Sequence, residues 1–121
     1  MSKRNRMGNA SNPYQTDTKR VLCLCSAGLL RSPTTANVLH EEWGYNTRSA
    51  GLSEEYALIP VDDVLIDWAD EVVVMEKWMV EAVLEIVSTV TVTCLDIPDN
   101  FSWNEENLRE RIRVAYEESM E

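Results

Sequence analysis

Short apolar runs alternate with stretches of helical periodicity from Lys19 onward, and this alternation restricts the fold more than any other property of the chain. Val21-Leu22-Cys23-Leu24 is continuously apolar, as a strand buried on both faces requires. Ser32-Pro33 reads as a helix start, with Ser32 as N-cap and Pro33 at the first helical position, where its missing N–H costs nothing. Ala36, Leu39 and Trp43 follow at helical spacing, and Gly44 stops the helix. Asn46 to Ala50 reads as a short strand. Val61, Val64, Leu65 and Trp68 form a helical stripe after Pro60, with Asp62 and Asp63 in the first turn, where they suit the helix dipole. Val72-Val73-Val74-Met75 is another buried strand. Met79, Ala82, Val83, Ile86 and Val87 make a second stripe, and Val90 to Leu95 a strand with Thr on one face. Beyond the turn-rich Ile97-Pro98-Asp99-Asn100, a last helix carries Leu108, Ile112 and Ala115, with Glu105–Arg109 and Arg113–Glu117 as i,i+4 pairs.

The order βαβαβαβα predicts an α/β fold of three αβα layers around a four-stranded parallel sheet, because parallel strands need crossover helices. Sites in such folds sit at the C-terminal ends of the strands. A length of 121 residues suits one domain. Residues 19–121 are therefore read as that domain, and residues 1–18, polar and without periodicity, as a disordered basic arm.

Charge narrows the partners. Residues 1–20 carry Lys3, Arg4, Arg6, Lys19 and Arg20 against Asp17, a net of +4, whereas the rest carry 6 basic and 20 acidic residues, a net of −14. So acidic a body repels phosphate backbones, and nucleic acid is not an expected partner. No run approaches the ~20 apolar residues of a membrane span, and no secretory signal is legible at the N-terminus. Three cysteines without such a signal suggest reduced thiols and a cytoplasmic setting.

The chemistry concentrates in Cys25-Ser26-Ala27-Gly28-Leu29-Leu30-Arg31-Ser32-Pro33, which joins the first strand to the first helix. Small residues at Ser26, Ala27 and Gly28 let backbone N–H groups turn inward as a nest, and the helix points its positive end at the same spot. Arg31 supplies a planar fork for two phosphate oxygens. A thiol in that field is expected to ionise, because nearby donors and cations favour the thiolate. Anion site and nucleophile thus coincide. The bland alternative makes Cys25 a small buried hydrophobe at a strand end.

These residues resemble the low-molecular-weight protein tyrosine phosphatases, to which the thioredoxin-coupled arsenate reductases are related. The resemblance rests on Cys25-x5-Arg31-Ser32-Pro33 directly after the first strand, on Arg48-Ser49-Ala50-Gly51, on Ala69-Asp70-Glu71-Val72-Val73-Val74-Met75, and on Ile97-Pro98-Asp99-Asn100-Phe101. It implies a metal-free, cofactor-free phosphomonoesterase acting on phosphotyrosine proteins or small aryl phosphates through a cysteinyl-phosphate, with phosphate as product. Cys25 would be the nucleophile, Arg31 would hold the phosphoryl oxygens, and Ser32 would hydrogen-bond the thiolate. Asp99 would protonate the leaving oxygen and then activate water. Ser26, Ala27, Gly28, Leu29 and Leu30 would cradle the phosphoryl group, Leu29 reaching a substrate ring, and Phe101 would line the pocket.

The chain departs from the family's pattern at Gly28, where Asn is common, at Leu30, where a second loop cysteine often stands, and at Asn100, where Pro follows the acid. The segment between Gly51 and Pro60 is short, although Tyr56 offers a pocket wall. Asp96 competes with Asp99 for the acid role, its bland reading being a cap or turn residue. Cys23 reads as core, the single His40 as a packing residue, and the tryptophans as helix-packing anchors. With no His cluster and no Cys-x2-Cys pair, no metal site is expected. Two alternatives stay open. One is an arsenate reductase, whose relay would have only Cys94 downstream. The other is a catalytically weak module binding phosphate or a phosphoprotein.

Overall fold

A computed structural model describes residues 19–26, 31–52, 61–98 and 104–120. Four strands, β1 (Arg20–Cys25), β2 (Asn46–Gly51), β3 (Glu71–Val74) and β4 (Val92–Cys94), form one sheet in the order β2-β1-β3-β4. Every pairing is parallel, with Leu24 beside both Ala50 and Val74, and Val74 beside Cys94. The helices are α1 (Arg31–Trp43), α2 (Asp63–Trp68), α3 (Lys77–Ile86) and α4 (Glu105–Ser119). This is the expected three-layer arrangement.

Strand parity shows how the layers are held. Val21, Thr47 and Glu71 share a face through their register, and this face carries α1 and α4. Thr47 Oγ1 donates to the Ala36 carbonyl of α1 (2.8 Å), and Tyr116 of α4 donates its hydroxyl to Glu71 (2.8 Å). On the opposite face, beside Leu22, the Arg48 guanidinium lies 4.5 Å over the Trp68 ring at the end of α2. Leu22, Leu24, Val72, Val73 and Val74 are fully buried between the layers, which is why their sequence is apolar without alternation.

Several local expectations shift. The first helix begins at Arg31, so Ser32 is inside it rather than its N-cap; Pro33 still falls in the first turn, where helix N–H groups need no intrahelical acceptor. Asp62 is itself the N-cap of α2, accepting from Leu65 N at 3.0 Å. The last strand is shorter than Val90–Leu95, and Ile86 is exposed rather than part of a buried stripe. Glu105 does not pair with Arg109, which instead crosses to Asn37 and Glu41 on α1, while Arg113 does meet Glu117. An i,i+4 partner is worth only a few tenths of a kcal/mol, so a facing helix overrides it. Gly44 stops α1 as expected, in the left-handed region at φ 72°. His40 takes a packing role, its Nδ1 2.9 Å from the Tyr45 carbonyl. Trp43 and Trp68 pack on the core, but Trp78 is 52% exposed, against the anchor reading. No helix among the described residues is long and apolar enough to cross a membrane.

Candidate active site

The chain leaves β1 for β2 on one side and returns past β1 to β3 on the other, so the winding direction reverses between β1 and β3. Such a reversal opens a crevice at the C-terminal strand ends. Cys25 ends β1 at this crevice, and Met75-Glu76 follows β3 beside it.

Cys25 is 4% exposed, and its Sγ lies 3.2 Å from Ser32 Oγ in the first turn of α1. The Ser32 hydroxyl also stands 3.3 Å from the Ala50 carbonyl. Its single proton can therefore point to Ala50 while the thiol donates to Oγ, or swing to Sγ once the thiol is ionised. The structure thus brings Cys25 and Ser32 together.

Arg31 opens α1 and is 3% exposed. Its Nη1 donates to Glu76 Oε2 at 3.0 Å and to the Ile97 carbonyl at 2.8 Å. Both bonds leave from one terminal nitrogen, so among the described residues Nε and Nη2 are left for an anion. Thr35 Oγ1 reaches back to the Arg31 carbonyl (2.7 Å) and stands 3.6 Å from Met75 Sδ, pinning the turn that carries the guanidinium. The α1 N-terminus lies at the same sheet end, and its free N–H groups and dipole favour negative charge there.

Glu76 and the Ile97 carbonyl are the site groups that sequence reasoning missed. A signal existed for Glu76: it is the first charged residue after the buried run Val72–Met75, at the strand end where parallel-sheet sites lie. It is also the N-cap of α3 but makes no side-chain capping bond, because its carboxylate faces Arg31 instead. A backbone carbonyl has no sequence signature.

The remaining candidates fall as follows. Ser26 is described at the end of β1 and is partly buried. Ala27, Gly28, Leu29, Leu30, Tyr56, Asp99, Asn100 and Phe101 lie outside the described residues. Asp96 is exposed at the end of β4, with a left-handed backbone, φ 56°. Cys23 is fully buried core, and burial, then the Glu71 charge and then Cys25, push its thiol far up, so it stays protonated. Cys94 shares a register with Leu24 and Val74, which puts it on the face opposite Cys25 and two strands away.

The described residues thus form a parallel four-stranded αβα sandwich with a cysteine and a clamped arginine at its winding reversal. Solved phosphatases are among the structures it resembles, and the chain has the fold of the low-molecular-weight tyrosine phosphatases. Wzb of Vibrio vulnificus, solved with benzylphosphonate, is 20% identical over 84% of this chain and 94% of its own, with a TM-score of 0.64. The tyrosine phosphatase AmsI of Erwinia amylovora is 16% identical, over 84% of this chain and 89% of its own, at 0.65. The YwlE arginine phosphatase of Geobacillus stearothermophilus is 20% identical, over 85% and 89%, at 0.64. No protein-family model and no curated protein sequence matches the chain.

Proposed function

We propose that the protein is a cysteine-dependent phosphatase of aryl phosphates, phosphotyrosine in proteins being the substrate class that suits it best. The observation that carries this reading is the meeting of Cys25 Sγ with Ser32 Oγ at 3.2 Å beside an Arg31 whose Nη1 is held from behind by Glu76 and Ile97. The Cys25 thiolate attacks phosphorus in line, forming the S–P bond as the P–O bond to the leaving group breaks. Asp99 gives its proton to the departing phenol oxygen. Its carboxylate then takes a proton from water, whose oxygen attacks the cysteinyl-phosphate and releases inorganic phosphate and the thiolate. Arg31 and the α1 N–H groups counter the charge on the equatorial oxygens throughout.

Substrate identity within this class rests on the leaving group. The resemblance favours phosphotyrosine, and the neighbours of this fold include both tyrosine and arginine phosphatases. The arsenate-reductase reading loses support, since a disulfide needs Cα atoms within about 7 Å and Cys94 stands two strands away on the other face. The test is release of p-nitrophenol from p-nitrophenyl phosphate without added metal, beside phosphotyrosine and phosphoarginine peptides. Turnover that falls at least about 10⁴-fold in Cys25→Ser is the expected result. Full activity in that variant overturns the reading; phosphate binding without turnover in the parent would make the chain a binding module.

A further inference from the structure

Asp96 is the only residue other than glycine with a positive φ among the described residues, and it lies two residues past β4, where the ladder with β3 ends. Leu95 N donates to the Val74 carbonyl (2.9 Å), as the Val74–Cys94 register requires. In a regular parallel ladder the next donor, Ile97 N, would meet the carbonyl two residues further along β3, that of Glu76. It meets Met75 instead, at 2.7 Å. Two steps along β4 therefore match one step along β3. This is a bulge, with Asp96 as the extra residue.

The bulge holds Ile97, fully buried, one residue further back than a regular strand would. From that place its carbonyl accepts from Arg31 Nη1 at 2.8 Å, while the Glu76 carboxylate accepts from the same nitrogen at 3.0 Å. A regular ladder would instead put Ile97 N on the Glu76 carbonyl and move the Ile97 carbonyl one residue forward, off the place where it now meets Arg31. Asp and Asn enter the left-handed region more readily than other side chains, and a β-branched residue there is an outlier. The Asp96 carboxylate is exposed and makes none of these contacts.

We infer that Asp96 is a positioning residue: its left-handed backbone turn, not its carboxylate, seats the Ile97 carbonyl on Arg31 and so fixes the fork that grips the phosphoryl group. The inference deepens the phosphatase reading and rests on it for the role of Arg31. It separates conformation from charge at a position that the sequence offers as a rival general acid.

The experiment compares Asp96→Asn, Asp96→Gly, Asp96→Ala and Asp96→Val with the parent in three readouts. These are kcat and KM on phenyl and p-nitrophenyl phosphate, inhibition by inorganic phosphate, and the protection that inorganic phosphate gives Cys25 against iodoacetamide, read at its peptide by mass spectrometry. Asn and Gly should stay within about threefold of the parent, since both adopt positive φ. Val should weaken phosphate inhibition and protection about tenfold, by the same factor with both leaving groups, and Ala by less. If Val does not fold, Ala carries the comparison. Gly losing as much as Val, or a leaving-group-dependent loss in Asn, overturns the inference in favour of the carboxylate. A lower Tm with unchanged phosphate constants in Val and Ala overturns it in favour of a merely structural turn. A parent without turnover sinks the phosphatase reading alone if phosphate still protects Cys25 and Val weakens that protection. A parent that neither turns over nor binds phosphate sinks both.

Discussion

The two ends of the sheet carry charged clusters of opposite design. At the C-terminal end a buried cation, Arg31, is held by two acceptors, Glu76 and the Ile97 carbonyl. At the N-terminal end a buried anion, Glu71, is held by three donors: Lys19 Nζ (2.8 Å), the Tyr116 hydroxyl (2.8 Å) and the Thr93 hydroxyl. The difference lies in what remains. Glu71 is surrounded by donors from the residue before β1, from β4 and from α4, and Tyr116 is walled in by Trp43 and Tyr45 in edge-to-face contacts at 4.9 and 6.1 Å. Among the described residues Arg31 is gripped through a single nitrogen. A saturated charge locks a fold, and a half-satisfied one is ready to bind.

After Cys25→Ser, the largest effect expected under the proposed mechanism is that of Asp99→Asn. Asp99→Asn should lower kcat about 10²–10⁴-fold on phenyl phosphate and much less on p-nitrophenyl phosphate, whose leaving group departs without help. Steady-state rates on both esters check this, and equal losses would reassign Asp99 to binding. Arg31→Lys keeps the charge but removes the fork, so kcat/KM should drop roughly 10²–10³-fold with phosphate inhibition weakened in parallel. Glu76→Gln leaves an acceptor in place but removes the countercharge, so Arg31 shifts rather than leaves. A loss of about 10-fold to 10²-fold in kcat/KM is expected, because small misplacements of a positioning group are costly.

The N-terminal cluster should answer in the opposite way. Glu71→Gln and Tyr116→Phe should each leave kcat/KM within about twofold yet remove roughly 1–3 kcal/mol of stability, the scale of a buried hydrogen bond to a charged group. Thermal unfolding should show it as a drop of several degrees in Tm.

The pH dependence of stability has a definite sign. Burial pushes the Glu71 carboxyl up, but the hydrogen bonds from Lys19, Thr93 and Tyr116 and the Lys19 charge outweigh it and hold the group below its ordinary value of 4.5. The unfolded chain therefore takes up this proton first. The stabilisation is complete above about pH 5 to 6 and is lost as pH falls past the unfolded value towards the folded one. Glu71→Gln should flatten that acid limb in urea melts at a series of pH values; an unchanged slope would show that other carboxylates dominate it.

How much of this was legible in the sequence differs between the two ends. The βαβ alternation, the parallel sheet and the candidate pair Cys25 and Arg31 follow from local signals: apolar runs, helix starts and a Cys-x5-Arg spacing within one loop, whereas the contact of Ser32 with the thiol was implied only by the family resemblance. Glu76 and Ile97 lie 45 and 66 residues from Arg31, and Lys19, Thr93 and Tyr116 come from three separate parts of the chain to meet Glu71. No local pattern encodes such meetings. The Glu105–Arg109 pair shows the converse, a local signal overridden when α4 packed against α1 and gave Arg109 other partners.

The sequence by itself determined the class of architecture and the place of the candidate nucleophile, because periodicity and strand-to-helix punctuation act between near neighbours and survive in any parallel α/β packing. The tertiary structure alone decided which charges end up half satisfied and which saturated. That outcome depends on strand order, on a one-residue bulge at Asp96 and on the layer to which each side chain points. A slip of one residue in any strand would send those side chains to the other face, so the partners of Arg31 and Glu71 exist only once the register is set.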